Sequence, residues 1–569
     1  MRFENATIID MSSEAYRKAK RLGEKACREA AAGKENPYLP SLDAMGIHTV
    51  STEHVGITEI PLALVVGTKT VSRQNAFSVN YMPLLEANSE FAHKWANVYA
   101  YQEENGISEP IVVYEYMHHF YVQEGNKRVS VLKYLGAPSI EADVTRIMPT
   151  DFTGEAGQRY QEFLQFFHVC PVYEIIFSHI GDYREFAELL GQSFNEKWPL
   201  ETVHLAEAVY YRFYRVFQQI GGDAFTRITS GDALLVYLRI YSPASVMDDP
   251  RTLLEGRVRK LWPAFTQMDN ADTMTIQTDP ISLQKADLFG FLRSGYSPSR
   301  PLKAAFLYDG KNDRVQEEGR LLLQETYKEA VLSWAYPGCA REEQVQIALR
   351  QALEQDAEVL FTTSKTMYKA AAQAAMVYPH ATVLNASLMP FPACLRTYAC
   401  RLYEGMFLMG ALAAMQSDAI GYAESITGYG EAANVNAFTL GAQYVNPHAQ
   451  VWLSRREAIV LQAKENGFCL TNSAGDRIGS IALSMDWGQY DRLLTALFLD
   501  GRNIGESKAV QYWYGMRSGV VKLHAEKTWL KSVDDLYQKA LAGKLKPFGE
   551  MDDAQIVRMR ELVSGVGVK

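Results

Sequence analysis

Three kinds of periodicity predict an α/β protein that carries an α+β domain and a helical segment in front of its parallel sheet. Beyond residue 301, short apolar runs at 304–308, 358–363 and 381–385 alternate with helix-period segments at 317–330 and 366–377. That rhythm builds parallel strands covered on both faces. From about 151 to 296 only helical spacing is found, and the first 150 residues mix strands with helices.

Residues 12–32 place charged and small apolar residues at helical spacing, with Gly33 as the stop. The stretch 57–71 is rich in β-branched residues, and 84–101 reads as a helix. Runs at 110–117 and 120–123 form a strand hairpin that turns at His118-His119. A loop, Glu124-Gly-Asn-Lys-Arg, then opens a short helix that ends near Gly136, and 139–147 closes the unit as a strand. In 203–220 the residues Ala206, Val209, Tyr210, Phe213, Val216, Phe217 and Ile220 share one helix face, the signature of a core stripe. The Ser297-Pro-Ser-Arg-Pro301 run is the best linker. The expected organisation is an α+β domain at 1–150, a helical segment at 151–298 and an α/β domain at 299–569.

The chain has 569 residues, room for two or three domains. Apolar residues at 47% and charged residues at 22% exclude wholesale disorder. A net charge of -9 disfavours a protein that coats nucleic acid, so a nucleic-acid partner is not the favoured one. Six cysteines without C-x-x-C spacing suit reduced, buried thiols better than a disulfide framework or a zinc site. The start has no apolar h-region and no apolar run is long enough to span a bilayer, so the expected location is cytoplasmic with no transmembrane segment. His118-His119 lacks a third ligand at metal spacing, and neither a Gly-x-Ser-x-Gly elbow nor a P-loop occurs. No cofactor and no catalytic residue is expected.

The most informative stretch is Asp418-Ala-Ile-Gly-Tyr-Ala-Glu followed by Asn434-Val-Asn-Ala-Phe. A buried strand through Ile420 and Tyr422 breaks at a loop containing Gly428 and Gly430, and the next helix carries Asn434 and Asn436 in its first turns. Side chains just beyond a strand's carboxyl end face the crevice where α/β proteins bind ligands. Amides and aromatics in that place make a recognition site, which points to a binder before an enzyme.

Further residues give the C-terminal half a family likeness. The helix Arg401-Leu-Tyr-Glu-Gly-Met-Phe-Leu-Met-Gly-Ala-Leu-Ala-Ala resembles one found in the basic membrane protein (BMP, PnrA-like) solute-binding family. Ile420-Gly-Tyr, Asn434-Val-Asn-Ala-Phe-Thr-Leu-Gly-Ala, Val445-Asn-Pro447, Met485-Asp-Trp-Gly488 and Tyr512-Trp-Tyr-Gly-Met-Arg-Ser-Gly-Val-Val521 follow in the family's order. The likeness runs from about 302 to 550. It implies a two-lobed, hinged fold of the type I periplasmic-binding-protein kind that closes on a nucleoside-like molecule. Stacking partners would come from Tyr422, Phe438 or Trp487. Hydrogen bonds would come from Asp309, Asn312, Asn385, Asn434, Asn436 or Asp486. The chain departs from the family's pattern in its first loop, where Val315 stands near an expected aromatic. Asn385 stands where an acidic residue is usual, and Cys469-Leu-Thr-Asn472 replaces a late aspartate.

The order of strand, hairpin, Glu124-Gly-Asn-Lys-Arg128, helix and strand resembles the ParB/sulfiredoxin-like fold, over about 57–149. That likeness implies a nucleotide phosphate held at the helix start by Gly125, Asn126, Lys127 and Arg128, with Ser130 and Arg73 assisting. Free backbone N–H groups and the positive helix end attract an anion. Three functions stay open on the sequence: a cytoplasmic sensor of a small nucleoside-like ligand, the substrate-binding component of an ABC transporter, and a nucleotide- or DNA-linked protein using the N-terminal domain.

Overall fold

A five-stranded sheet organises the N-terminal part of the computed structural model, which describes residues 2–47, 51–106, 109–270, 275–280, 296–310, 313–389, 394–424, 426, 428–464, 466–500 and 510–567. The chain divides into two units, 1–210 and 211–569, with the boundary inside the helix Leu200–Ile220. The helical stretch predicted from 151 onwards is therefore shared between the units.

In the first unit the strands β1 (Ser51–Pro61), β2 (Val65–Thr68), β3 (Ile111–Tyr116), β4 (His119–Glu124) and β5 (Ser139–Met148) lie in the order β1-β5-β3-β4-β2. Along β3 every second side chain is buried, as period-2 patterning requires. The hairpin turns at Met117 and His118, both at positive φ (50° and 68°), one residue before the predicted His118-His119. The helix Arg2–Ala32 starts well before the predicted residue 12, and the predicted helix near 84 begins at Glu90, capped by Ser89.

One polar cluster lies inside this unit. Glu115 is completely buried and accepts from the Arg146 guanidinium, from the Tyr160 hydroxyl at 2.7 Å and from the His118 backbone N–H at 2.8 Å. Arg146 also donates to Tyr173 at 3.0 Å and to Glu53 at 3.2 Å. His118 shares a hydrogen with the Tyr173 carbonyl at 2.9 Å, and burial pushes its imidazole pKa down to about 3. A buried charge persists only when paired and hydrogen-bonded, and here each member has its partner.

The second unit contains two seven-stranded sheets. The first, ordered β6-β17-β11-β10-β9-β7-β8, is parallel throughout. Its strands are β6 (Thr275–Gln277), β7 (Leu302–Leu307), β8 (Val331–Tyr336), β9 (Val359–Thr362), β10 (Thr382–Asn385), β11 (Arg396–Cys400) and β17 (Val510–Tyr514). The strand β6 falls where helical spacing was expected. Three residues are too few to show a period, and only its pairing with β17 reveals it.

The second sheet, ordered β18-β16-β15-β14-β12-β13-β19, is antiparallel from β18 to β14 and parallel from β14 to β19. Its strands are β12 (Ala419–Ala423), β13 (Gln450–Trp452), β14 (Ile459–Lys464), β15 (Gly467–Asn472), β16 (Arg477–Met485), β18 (Val521–His524) and β19 (Val566–Gly567). The chain passes between the sheets three times: after β11, between β16 and β17, and between β17 and β18. Two α/β lobes joined by three crossings result, the expected two-lobed architecture. The helices Tyr403–Ala414 and Glu431–Val445 pack so closely that a Cβ on Gly410 would meet the Phe438 carbonyl oxygen at 1.8 Å, and one on Gly441 the Phe407 oxygen at 1.9 Å. Only glycine fits at this contact.

The unit's helical part packs onto the first lobe. The helix Ser230–Ile240 starts with a capping box made by Thr229 and Asp232 and is buried along its whole length. The Ile240 carbonyl accepts from Gln373 of the helix Tyr368–Val377 at 3.3 Å.

Candidate functional site

Parallel sheets present ligand sites at the carboxyl ends of their strands, and both lobes turn such ends toward each other. On the first lobe these are Tyr308-Asp309 after β7, Thr363-Ser364-Lys365 after β9 and Ala386-Ser387-Leu388 after β10. On the second, the loop after β12 leads through Tyr429 and Gly430 into the helix Glu431–Val445. The edges meet at two points. Lys365 Nζ lies 3.0 Å from Glu431 Oε1, and Gly430 packs against Leu388 so closely that a Cβ there would stand 2.7 Å from its side chain.

The first lobe's edge holds several buried polar atoms that have no hydrogen-bond partner among the described residues. Asn385 donates to Thr362 Oγ1 at 2.9 Å and to the Ser364 carbonyl at 3.0 Å, which leaves its own Oδ1 unpaired. Ser387 Oγ, Thr397 Oγ1, Tyr398 OH, Gln511 Oε1, Trp513 Nε1 and Tyr514 OH are unpaired as well. With Asn385 they cluster on β10, just beyond it, and on β11 and β17. Asp491 is completely buried, neither of its oxygens is paired, and a Cβ on Gly319 would stand 3.2 Å from it. Burial, with Asp486 nearby, raises its carboxyl pKa far above the ordinary carboxylate range. Unpaired buried polar groups are rare in folded proteins and mark places where something else is bound or strain is stored.

Aromatic rings line the same region. Trp487 is half-buried and stacks on Tyr490 (5.9 Å, 27°), standing edge-on to Tyr398 (6.2 Å, 84°). Tyr490 in turn stacks on Tyr514 (5.2 Å, 19°). The Tyr490 hydroxyl faces the carbonyls of Tyr512 and Ala399 at 2.8 and 3.0 Å, pinning the helix Trp487–Leu499 to the strands.

The predicted ligand residues separate into two groups. Asp309, Asn385 and Trp487 stand at the first lobe's edge, and Asn434 is half-buried in the first turn of its helix with no side-chain hydrogen bond among the described residues. Asn312 lies outside the described residues. Tyr422 and Phe438 do not reach the cleft. They pack edge-to-face at 5.6 Å in the second lobe's core, 3% and 0% exposed, Tyr422 from the central strand β12 and Phe438 from the buried face of the helix Glu431–Val445. Asn436 is buried too. It donates to the Glu561 carbonyl at 2.8 Å and accepts from the Val563 N–H at 3.0 Å, fastening the C-terminal segment. Asp486 caps the helix Trp487–Leu499 through the Gln489 N–H at 2.9 Å and pairs with Lys522 at 2.7 Å.

Sequence reasoning missed Ser387, Tyr398 and Asp491. Asp491 had a readable signal: with Trp487, Tyr490 and Leu494 it shares the helix's apolar stripe, an unusual place for a carboxylate.

At the N-terminal loop the structure assigns most of the expected anion ligands to other tasks. Gly125 sits at φ 105° and a Cβ there would meet Ile111 at 2.4 Å. Arg128 donates to the Glu109 and Pro110 carbonyls at 2.6 and 3.1 Å, tying down the entry to β3. Ser130 is fully buried and accepts from the Trp95 indole at 2.9 Å, and Asn126 Oδ1 lies 3.5 Å from the Tyr81 hydroxyl. Lys127 covers the Phe91 ring at 4.9 Å, and exposed Arg73 is near enough to lower its pKa, after burial itself. Arg73 and Lys127 are what is left of the predicted set.

Comparison with known proteins gives a sequence relative and several structural ones. No family model matches the chain. A purine-binding protein of Brucella abortus (strain 2308) is 24% identical over 311 residues, covering 46% of this chain and 88% of that protein. Solved structures with similarity include a transcriptional activator of the comK gene from Bacillus halodurans (11% identity, 43% of this chain and 98% of that one, TM-score 0.31). A solute-binding protein of an ABC transporter system from Aeropyrum pernix K1 is 12% identical, over 45% of this chain and 95% of that one, with a TM-score of 0.33. A 5-methylthioribose transporter solute-binding protein from Thermotoga lettingae TMO, in complex with 5-methylthioribose, is 11% identical over 44% and 95%, with a TM-score of 0.27.

Proposed function

We propose that the C-terminal unit is a receptor for a small purine-type molecule, a nucleobase or nucleoside, and that the chain senses this ligand and does not transform it. The observation that carries the reading is the set of buried polar atoms on and beside β10, β11 and β17 that have no partner among the described residues. Such atoms leave hydrogen-bonding capacity for base edges or ribose hydroxyls. Trp487 supplies a half-buried ring beside them. The likeness to a purine-binding protein supports a purine over other flat rings. A PnrA-like solute-binding fold used as a sensor suits two lobes joined by three crossings, since closing them on a ligand changes the shape of the whole unit.

Isothermal titration of the full chain with adenine, hypoxanthine, guanine, adenosine and inosine tests the ligand. Binding of at least one is expected, and silence from all five in a folded sample ends the purine reading. Among the described residues no helix is long and apolar enough to cross a membrane. The sensor reading places the chain in the cytoplasm, and cell fractionation checks this: an exported or membrane-held pool would favour a transporter role instead.

A second reading rests on Arg73 and Lys127, which leave positive charge at the start of the helix Asn126–Leu135. Nucleotide binding there predicts that Lys127→Ala weakens the binding of a nucleoside triphosphate, measured by equilibrium dialysis. Unchanged retention of the triphosphate removes this reading.

A further inference from the structure

A cavity of about 320 Å³ lies at the carboxyl ends of three adjacent parallel strands of the first lobe and is lined by none of the residues named at the edge above. Thr278 and Asp279 follow β6, Arg517 follows β17 and Arg401 follows β11. The segment from Gly543 to Ile556 supplies the facing wall, including Lys546, Phe548 and Asp553. Arg401 and Arg517 stand where the chain leaves the first sheet for the second, so the cavity touches two of the three crossings.

Its charges balance at three cations (Arg401, Arg517, Lys546) and three carboxylates (Asp279, Asp552, Asp553). Two of the carboxylates are committed, and Lys546 stands in an exposed pair with Glu550 at 3.3 Å, a pair weak enough for a ligand carboxylate to replace. Asp279 pairs with Arg517 at 2.8 Å, and Asp552 caps a helix through the Gln555 N–H at 2.8 Å. Arg401 is only partly satisfied: one nitrogen donates to Glu404 at 2.6 Å, another stands 3.8 Å from Asp553, and Nε is buried with no partner among the described residues. Among the described residues Asp553 has no ion pair or side-chain hydrogen bond closer than that 3.8 Å pair, and burial raises its carboxyl pKa. A guanidinium short of an acceptor thus faces a carboxylate short of a donor, at a distance too long for a hydrogen bond. The volume lies at the lower end of small-ligand sites, which run from roughly 300 to 1,000 Å³.

We propose that this hinge cavity binds a small zwitterion of the α-amino-acid kind, its carboxylate on Arg401 and Lys546 and its ammonium on Asp553. An anion alone would leave Asp553 without a donor, and a cation alone would leave Arg401 without an acceptor. The site shares no lining residue with the purine edge and does not depend on what binds there.

The test uses the full chain, thermal-shift screening and then titration calorimetry with each of the twenty proteinogenic amino acids. Acetate, methylamine and inorganic phosphate serve as single-charge probes. At least one amino acid is expected to bind, with affinity reduced tenfold or more by Asp553→Asn and by Lys546→Ala. Neither variant should change purine affinity more than twofold. Because Arg401 also contacts Glu404, Arg401→Lys is a further variant, and circular dichroism checks that each variant is folded. No binding by any amino acid, binding indifferent to Asp553→Asn and Lys546→Ala, or phosphate binding alone would each overturn the proposal. Amino-acid binding without purine binding would leave it standing and remove the cleft reading instead.

Discussion

Two buried polar regions of this chain differ in how well their groups are satisfied. In the N-terminal unit, Glu115, Arg146, Tyr160 and Tyr173 close a network in which every charge has a partner. At the strand ends of the C-terminal unit, Asn385 Oδ1, Ser387, Tyr398 and both oxygens of Asp491 find none among the described residues. Both regions are made of buried side chains, so burial alone does not separate them. A closed network holds its elements in one arrangement, whereas an open one keeps hydrogen-bonding capacity for a further molecule. The difference assigns structure to the first region and recognition to the second.

Removing one partner from the closed network should produce the largest effect. Arg146→Ala leaves Glu115 as an uncompensated buried charge and is expected to reduce stability by about 3–5 kcal/mol, measured by urea unfolding. A loss below about 1 kcal/mol would mean that water already reaches the cluster and that the contrast between the regions is false.

The two regions should also respond oppositely to pH. The folded-state pKa of His118 is pushed down to about 3 by burial, so the unfolded chain binds a proton that the folded chain refuses. The resulting loss of stability sets in as pH falls below about 6.5 and is complete near 3. Asp491 has a raised pKa, so its contribution is present at low pH and is lost as pH rises above the ordinary carboxylate value, near about 4. Thermal unfolding against pH should show His118→Gln flattening the loss of stability on the acid side and Asp491→Asn flattening the loss that sets in as pH rises above about 4. Identical profiles for wild type and either variant would refute that half of the contrast.

Substitution in the open region should be mild for stability. Asp491→Asn removes no hydrogen bond made among the described residues and should leave the melting midpoint unchanged or higher. A drop equivalent to about 2 kcal/mol would show that the carboxyl has a partner after all. Asn385→Ala should weaken purine affinity by about tenfold, the equivalent of one hydrogen bond of about 1.4 kcal/mol, in calorimetric titration. Unaltered affinity would take Asn385 out of the site.

The smallest effect belongs to the contact across the lobes. Lys365 is largely exposed in its pair with Glu431. Lys365→Ala should therefore change stability by less than about 1 kcal/mol and show mainly in the ligand's dissociation rate by stopped flow.

The amino-acid sequence by itself determined the element types and their rhythm. The βαβ alternation beyond residue 301, the hairpin before Gly125 and the core stripe on 203–220 follow from periods of 2 and 3.6 that local chain geometry imposes. It also placed Asp309, Asn385 and Trp487 at strand ends and a helix start, where crevices form. Only the tertiary structure decided which amides and rings face the cleft. Tyr422 and Phe438 look like stacking partners in the sequence and are core, and Asn436 serves the C-terminal segment. Arg128 and Ser130 look like anion ligands and are held by Glu109, Pro110 and Trp95. The physical reason is that side-chain direction depends on the neighbour across the sheet or helix, which is far away in the chain: 125 residues separate Asn436 from Glu561. Periodicity carries no information over such distances, whereas packing does.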